Sequence, residues 1–97
     1  MLTYVSLYKW TDAGAKTVKE TVDRAEQGIA AAEQMGARLI GFYWTQGAYD
    51  LVAIAEWPDE DTAQAFALQV ASLGAARSET LRAFTKEDMR RILGKLG

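Results

Sequence analysis

With 97 residues, 49% hydrophobic and 25% charged, and a formal net charge of -2, the chain has the composition of a single globular domain over residues 1–97. That charge provides no electrostatic case for nucleic acid or an anionic membrane surface as a partner. The chain contains no cysteine and no histidine. This removes disulfides, thiolate nucleophiles and zinc–cysteine sites, along with the commonest general base and the usual imidazole ligands of transition metals and haem. Neither a cofactor nor a metal centre is expected. No leader pattern is evident and no run approaches the ~20 apolar residues that span a bilayer, so a cytoplasmic location is expected.

Residues 2–10, LTYVSLYKW, read as a strand with large apolar side chains on both sides. Thr11-Asp12 offers a helix N-cap. Ala15, Val18, Val22, Ala25, Ile29, Ala32 and Met35 then step by three and four along one helical face, and Gly36 is a natural stop. Gly28 interrupts this helix, where a close helix–sheet approach would explain it.

The stretch 39–57, LIGFYWTQGAYDLVAIAEW, is expected to form a β-hairpin turning at Gln46–Tyr49. A two-residue type II′ turn at Gly47-Ala48 sets Trp44 opposite Leu51, Tyr43 opposite Val52 and Phe42 opposite Ala53. Trp57-Pro58-Asp59 closes that strand and caps a second helix, with Ala63, Phe66, Ala67, Val70 and Leu73 as its buried stripe and Gly74 at its end. Residues 76–84 form a fourth strand. Thr85 with Asp88 resembles a capping box that starts a short C-terminal helix, roughly 86–94.

The order β-α-β-β-α-β plus a terminal helix predicts an α+β, ferredoxin-like domain with a four-stranded antiparallel sheet and both main helices on one face. The hairpin is apolar at nearly every position, so the second face also calls for cover. A second copy packed face to face provides it, giving a homodimeric α+β barrel, with higher assembly left open.

Tyr4-Val5-Ser6-Leu7, Trp10-Thr11-Asp12, Gly41-Phe42-Tyr43-Trp44-Thr45, Gly47-Ala48-Tyr49-Asp50 and the run Arg77 to Thr85 together resemble the GYD domain family. Ala48 stands here between the glycine and tyrosine of the Gly-Tyr-Asp signature. The resemblance covers roughly residues 3–93 and implies the dimeric α+β barrel arrangement. It implies no settled biochemical role.

The candidate ligand-binding residues are Trp10, Tyr43, Trp44, Tyr49, Asp50 and Arg82; no catalytic residue can be assigned. Tyr49-Asp50 fits either a polar pair at a barrel mouth or ordinary turn chemistry, with Asp50 accepting backbone N–H bonds. Tyr4, Tyr8, Trp10, Tyr43 and Trp44 fit either an aromatic pocket or the core and dimer seam, though Tyr43 and Trp44 must point opposite ways. If Arg82 faces the dimer interior, it needs a carboxylate such as Asp50 or Glu56, or an anionic ligand. Two functions follow. One is a homodimer that binds a small, partly apolar ligand between sheet and partner, or acts as an assembly module. The other is a cofactor-free isomerase or monooxygenase-like enzyme working on a small aromatic or quinonoid substrate. The enzyme requires Asp50, Glu56 or Arg82 to converge with Tyr43 and Tyr49 on one cavity.

Overall fold

The computed structural model describes residues 1–97. Strand β1 (Leu2–Trp10) is followed by a short helix α1 (Asp12–Lys16), a 3-10 turn (Val18–Glu20) and helix α2 (Thr21–Gln34). The hairpin strands β2 (Arg38–Trp44) and β3 (Leu51–Trp57) come next, then α3 (Glu60–Leu73), β4 (Ala76–Ala83) and α4 (Lys86–Leu93), with a final 3-10 turn (Gly94–Leu96). The four-stranded sheet has the order β2-β3-β1-β4, antiparallel throughout, which is the expected ferredoxin-like α+β arrangement.

The hairpin register is as expected: Trp44 pairs with Leu51, Tyr43 with Val52 and Phe42 with Ala53. The turn is wider than two residues. Both strands stop short and a loop over 45–50 joins them, with Gly47 at φ +105°, a conformation that side-chain-bearing residues rarely adopt. The loop closes through Thr45 N–H donating to Asp50 O (2.8 Å) and the Thr45 hydroxyl donating to Tyr49 O (2.6 Å). A bulge between Leu39 and Gly41 sets Ile40 out of the ladder.

The first helix departs from the continuous six-turn reading by breaking at Thr17. Its opening turn is fastened to the α3–β4 connection. Thr11 caps Gly14 N–H (3.2 Å) while its own hydroxyl donates to Gly74 O (2.5 Å), and Thr11 N–H donates to Ala75 O (3.1 Å). Gly14 is buried so closely there that a Cβ would lie 1.9 Å from Ala75 O. The chain must then re-aim to lie along the sheet. Arg24 satisfies the carbonyls this frees, donating to Thr17 O (3.0 Å), the Thr17 hydroxyl (2.7 Å) and Gly14 O (3.3 Å). The other caps form where expected. Asp59 accepts from Thr62 N–H (2.7 Å), and Thr85 and Asp88 complete a reciprocal capping box (3.0 and 3.1 Å).

Strand alternation divides the sheet. Tyr4, Ser6, Tyr8 and Trp10 of β1 face the helices with Phe42, Leu51, Ala53, Ala55 and Trp57. Val5, Leu7 and Lys9, with Tyr43, Val52, Ile54, Glu79 and Leu81, face the other way. Beyond β4, α4 packs chiefly against the 3-10 turn after it, so residues 84–96 form a projecting arm with Phe84, Met89, Leu93 and Leu96 exposed. The molecule measures 52 × 30 × 19 Å, and its radius of gyration of 14.6 Å exceeds the roughly 12.5 Å of a compact chain of this length.

Candidate functional site

The sequence-derived candidates separate into three places. Tyr49 and Asp50 act as a strap. Asp50 N–H donates to Tyr8 O (2.7 Å), and the Asp50 carboxylate accepts from Trp10 N–H (2.9 Å), fastening the hairpin loop to the end of β1. The Tyr49 hydroxyl donates to the Glu79 carboxylate on β4 (2.5 Å), and the Lys9 ammonium lies 5.5 Å from the Tyr49 ring centre. The hairpin loop thus spans β1 to reach β4. The bond to Glu79 holds the Tyr49 phenol above its ordinary value, because ionisation would set two negative charges against each other.

Arg82 lies elsewhere. It pairs in register with Tyr4, on the helix-facing side, and its guanidinium donates to Thr3 O (3.1 Å) and Ala83 O between the rings of Tyr4 and Phe84. Backbone carbonyls and aromatic faces take the role that the sequence reading assigns to Asp50 or Glu56. Glu56 pairs with Arg38 instead (3.4 Å).

The aromatic residues divide unevenly. Tyr43 stands on the open face, 61% exposed. Trp44 turns to the helix side, meets Phe42 edge-on at 5.2 Å, and donates from its indole N–H to the Thr21 hydroxyl (3.0 Å). Trp10 also faces the helices. Asp50, Glu56, Arg82, Tyr43 and Tyr49 therefore do not converge on one cavity.

The structure does hold a cavity, on the side opposite the one the sequence reading favours. It lies between the sheet and helices α2 and α3 and measures about 180 Å³. Its origin is small residues facing small residues: Ala53 and Ala55 on β3, Ala25, Gly28 and Ala32 on α2, Ala63 and Ala67 on α3. Gly28 is not a close-contact glycine; a Cβ there meets nothing within 4 Å. Aromatic side chains ring the space, with Trp57 and Phe66 in contact at 5.1 Å. Ser6 lies opposite Thr80 and Tyr8 opposite Ser78 on its sheet side. Burial pushes the Tyr8 phenol above the usual tyrosine value, and the Ser6 hydroxyl offsets part of that shift. Ser78 and Thr80 stay exposed, so the space opens toward the β4 edge. The alanine pattern that makes the cavity is present in the sequence, where helix-stripe alanines read as packed core.

Comparison with known proteins adds the family. The GYD domain model matches residues 4–93, which is nearly the whole chain. The chain belongs to the GYD domain family. This GYD protein is 31% identical over 90 residues to the "Glutamine synthetase and cystathionine beta-lyase binding protein" of Thermus thermophilus, covering 92% of this chain and 95% of that protein. No solved structure matches the GYD chain. None of its helices is long and apolar enough to cross a membrane.

Proposed function

We propose that this protein is a homodimeric protein-binding module, in which the open faces of two sheets pack together and the outer surfaces of the dimer meet partner enzymes. The observation that carries this is the uncovered apolar side of the sheet. Val5 neighbours both Ile54 and Leu81, and Leu7 neighbours Val52, giving a contiguous aliphatic centre. Lys9, Arg38, Glu56, Arg77 and Glu79 stand around it, which is the apolar-centre, charged-rim anatomy of an interface.

Area supports the same reading. A folded monomer of this mass exposes roughly 5,500 Å², whereas this chain exposes 6752 Å². The excess, roughly 1,200 Å², includes the open face, the arm and the cavity mouth, and it exceeds the ~800 Å² that each partner buries in a standard interface. The name of the Thermus relative, similar over nearly its full length, extends the reading from self-association to enzyme binding. The scattered placement of Asp50, Glu56 and Arg82 favours this over the isomerase or monooxygenase alternative.

Light scattering after size exclusion tests the assembly. The wild-type protein elutes at two chains, and Ile54→Asp elutes at one with its circular dichroism unchanged; a wild-type monomer overturns the dimer. Purified glutamine synthetase and cystathionine beta-lyase, each titrated against immobilised protein, test the partner reading. Saturable binding by at least one supports it, and binding by neither rejects it.

A further inference from the structure

We infer that the cavity between the sheet and helices α2 and α3 is a binding site for a small uncharged aromatic molecule of one or two rings carrying a hydroxyl or carbonyl group. Its size sets the upper limit. About 180 Å³ is close to apolar cavities known to take up a single benzene ring, and below the 300–1,000 Å³ of sites for drug-sized ligands. Its walls choose the ring. Trp57, Phe66, Phe42 and Tyr4 present aromatic surface across a gap that the alanines of β3, α2 and α3 leave unfilled.

The sheet supplies most of the neutral hydroxyls, Thr21 on α2 being engaged with the Trp44 indole. The cross-strand pairs Ser6–Thr80 and Tyr8–Ser78 make a patch of neutral hydroxyls, each able to donate and accept, on the sheet side of an otherwise mostly apolar space. With Ser78 and Thr80 at the β4 edge, a ligand enters ring first and leaves its hydroxyl or carbonyl among them. Charge is selected against. Both cations an anion would meet are already engaged, Arg24 in the space with Gly14 O, Thr17 and Glu20, and Arg82 beside Thr80 at the β4 mouth with Thr3 O and Ala83 O, while the lining acid, Glu33, would repel an anion. This site uses the opposite side of the sheet from the proposed dimer interface, so it stands or falls independently of dimerisation.

Calorimetry on the full chain with p-cresol, toluene and 4-methylbenzoate tests the class. Expected is saturable binding of p-cresol, several-fold weaker binding of toluene, and none of 4-methylbenzoate. Gly28→Leu places an isobutyl group in the void from a helical position with open space before it. It should weaken p-cresol at least tenfold without lowering the melting temperature. Ala53→Leu fills the same space from the sheet and gives the same result if the helix variant fails to fold. The double variant Ser78→Ala, Thr80→Val should bring p-cresol down to the toluene level. The inference is overturned if the wild type binds neither neutral ring, if 4-methylbenzoate binds as tightly as p-cresol, or if both filling variants keep p-cresol affinity within twofold.

Discussion

Two glycines on neighbouring helical segments should respond to the same substitution with opposite signs. Gly14→Ala drives a methyl group into Ala75 O at the joint between α1 and the α3–β4 connection, where backbone on both sides leaves nothing free to move aside. Overpacking of this kind costs about 1–3 kcal/mol. Gly28→Ala meets empty space in the interior of α2 and should stabilise by up to about 1 kcal/mol. Urea unfolding midpoints, with unchanged slopes, check both. A third prediction concerns tyrosine ionisation. Tyr8 and Tyr49 both titrate late, for different reasons: burial in the first case, the Glu79 carboxylate in the second. Glu79→Gln should bring only one late phenol back toward the normal range in an absorbance titration near 295 nm. Since the folded value for Tyr49 is raised, the stabilisation linked to it is complete below the ordinary tyrosine range and is lost as pH climbs through the folded value.

At the scale of elements, the caps and the broken first helix set the expectations. Asp59 and Asp88 are held below the ordinary carboxylate range, Asp59 by the Thr62 bonds and Asp88 by Thr85 N–H and Arg91. Their contribution is therefore present above the unfolded carboxylate value and fades as pH falls through the lowered folded one. Asp59→Asn, which keeps an acceptor oxygen, should flatten the acid limb of the melting profile while leaving the midpoint near neutrality little changed. Arg24→Met should quicken amide exchange across residues 12–20 and leave the sheet protected, because Arg24 closes the carbonyls at the Thr17 break. That break was hidden in the sequence. Ala15, Val18 and Val22 keep helical spacing straight through it, and only the distant Gly74-Ala75 contact forces the change of direction. The register of the hairpin was legible because Gly47 centres the turn, and the wider loop over 45–50 keeps the same centre and so the same pairs. The site was legible only in pieces: Asp50 as a backbone acceptor followed from turn chemistry, but its target, Trp10 N–H, lies forty residues away. The cavity depends on which alanines meet across layers, and no single stretch of sequence records that.

For the whole molecule, mass is concentrated in the sheet and two helices while the arm extends alone. Ending the chain at Thr85 should therefore leave the unfolding transition of the body close to that of the full chain, as read by near-ultraviolet circular dichroism, since α4 packs mainly on its own continuation. Strand alternation leaves the open face aliphatic at its centre, and of Tyr4, Tyr8, Trp10, Tyr43 and Trp44 it carries Tyr43 alone. Odd-numbered residues of β1 face outward and bring Val5 and Leu7, while Tyr4, Tyr8 and Trp10 turn inward with the even-numbered set.

The bulge at Ile40 bears on how far assembly can run. A four-stranded sheet has two free rims, and each offers unpaired N–H and C=O groups to any passing strand. On the β2 rim the bulge between Leu39 and Gly41 spoils the spacing a new strand would need, and on the β4 rim Arg77 and Glu79 add charge. Growth by strand addition, which has no natural end and leads to fibres, is thereby discouraged on both sides. The face-to-face association proposed above would instead consume its own surface and stop.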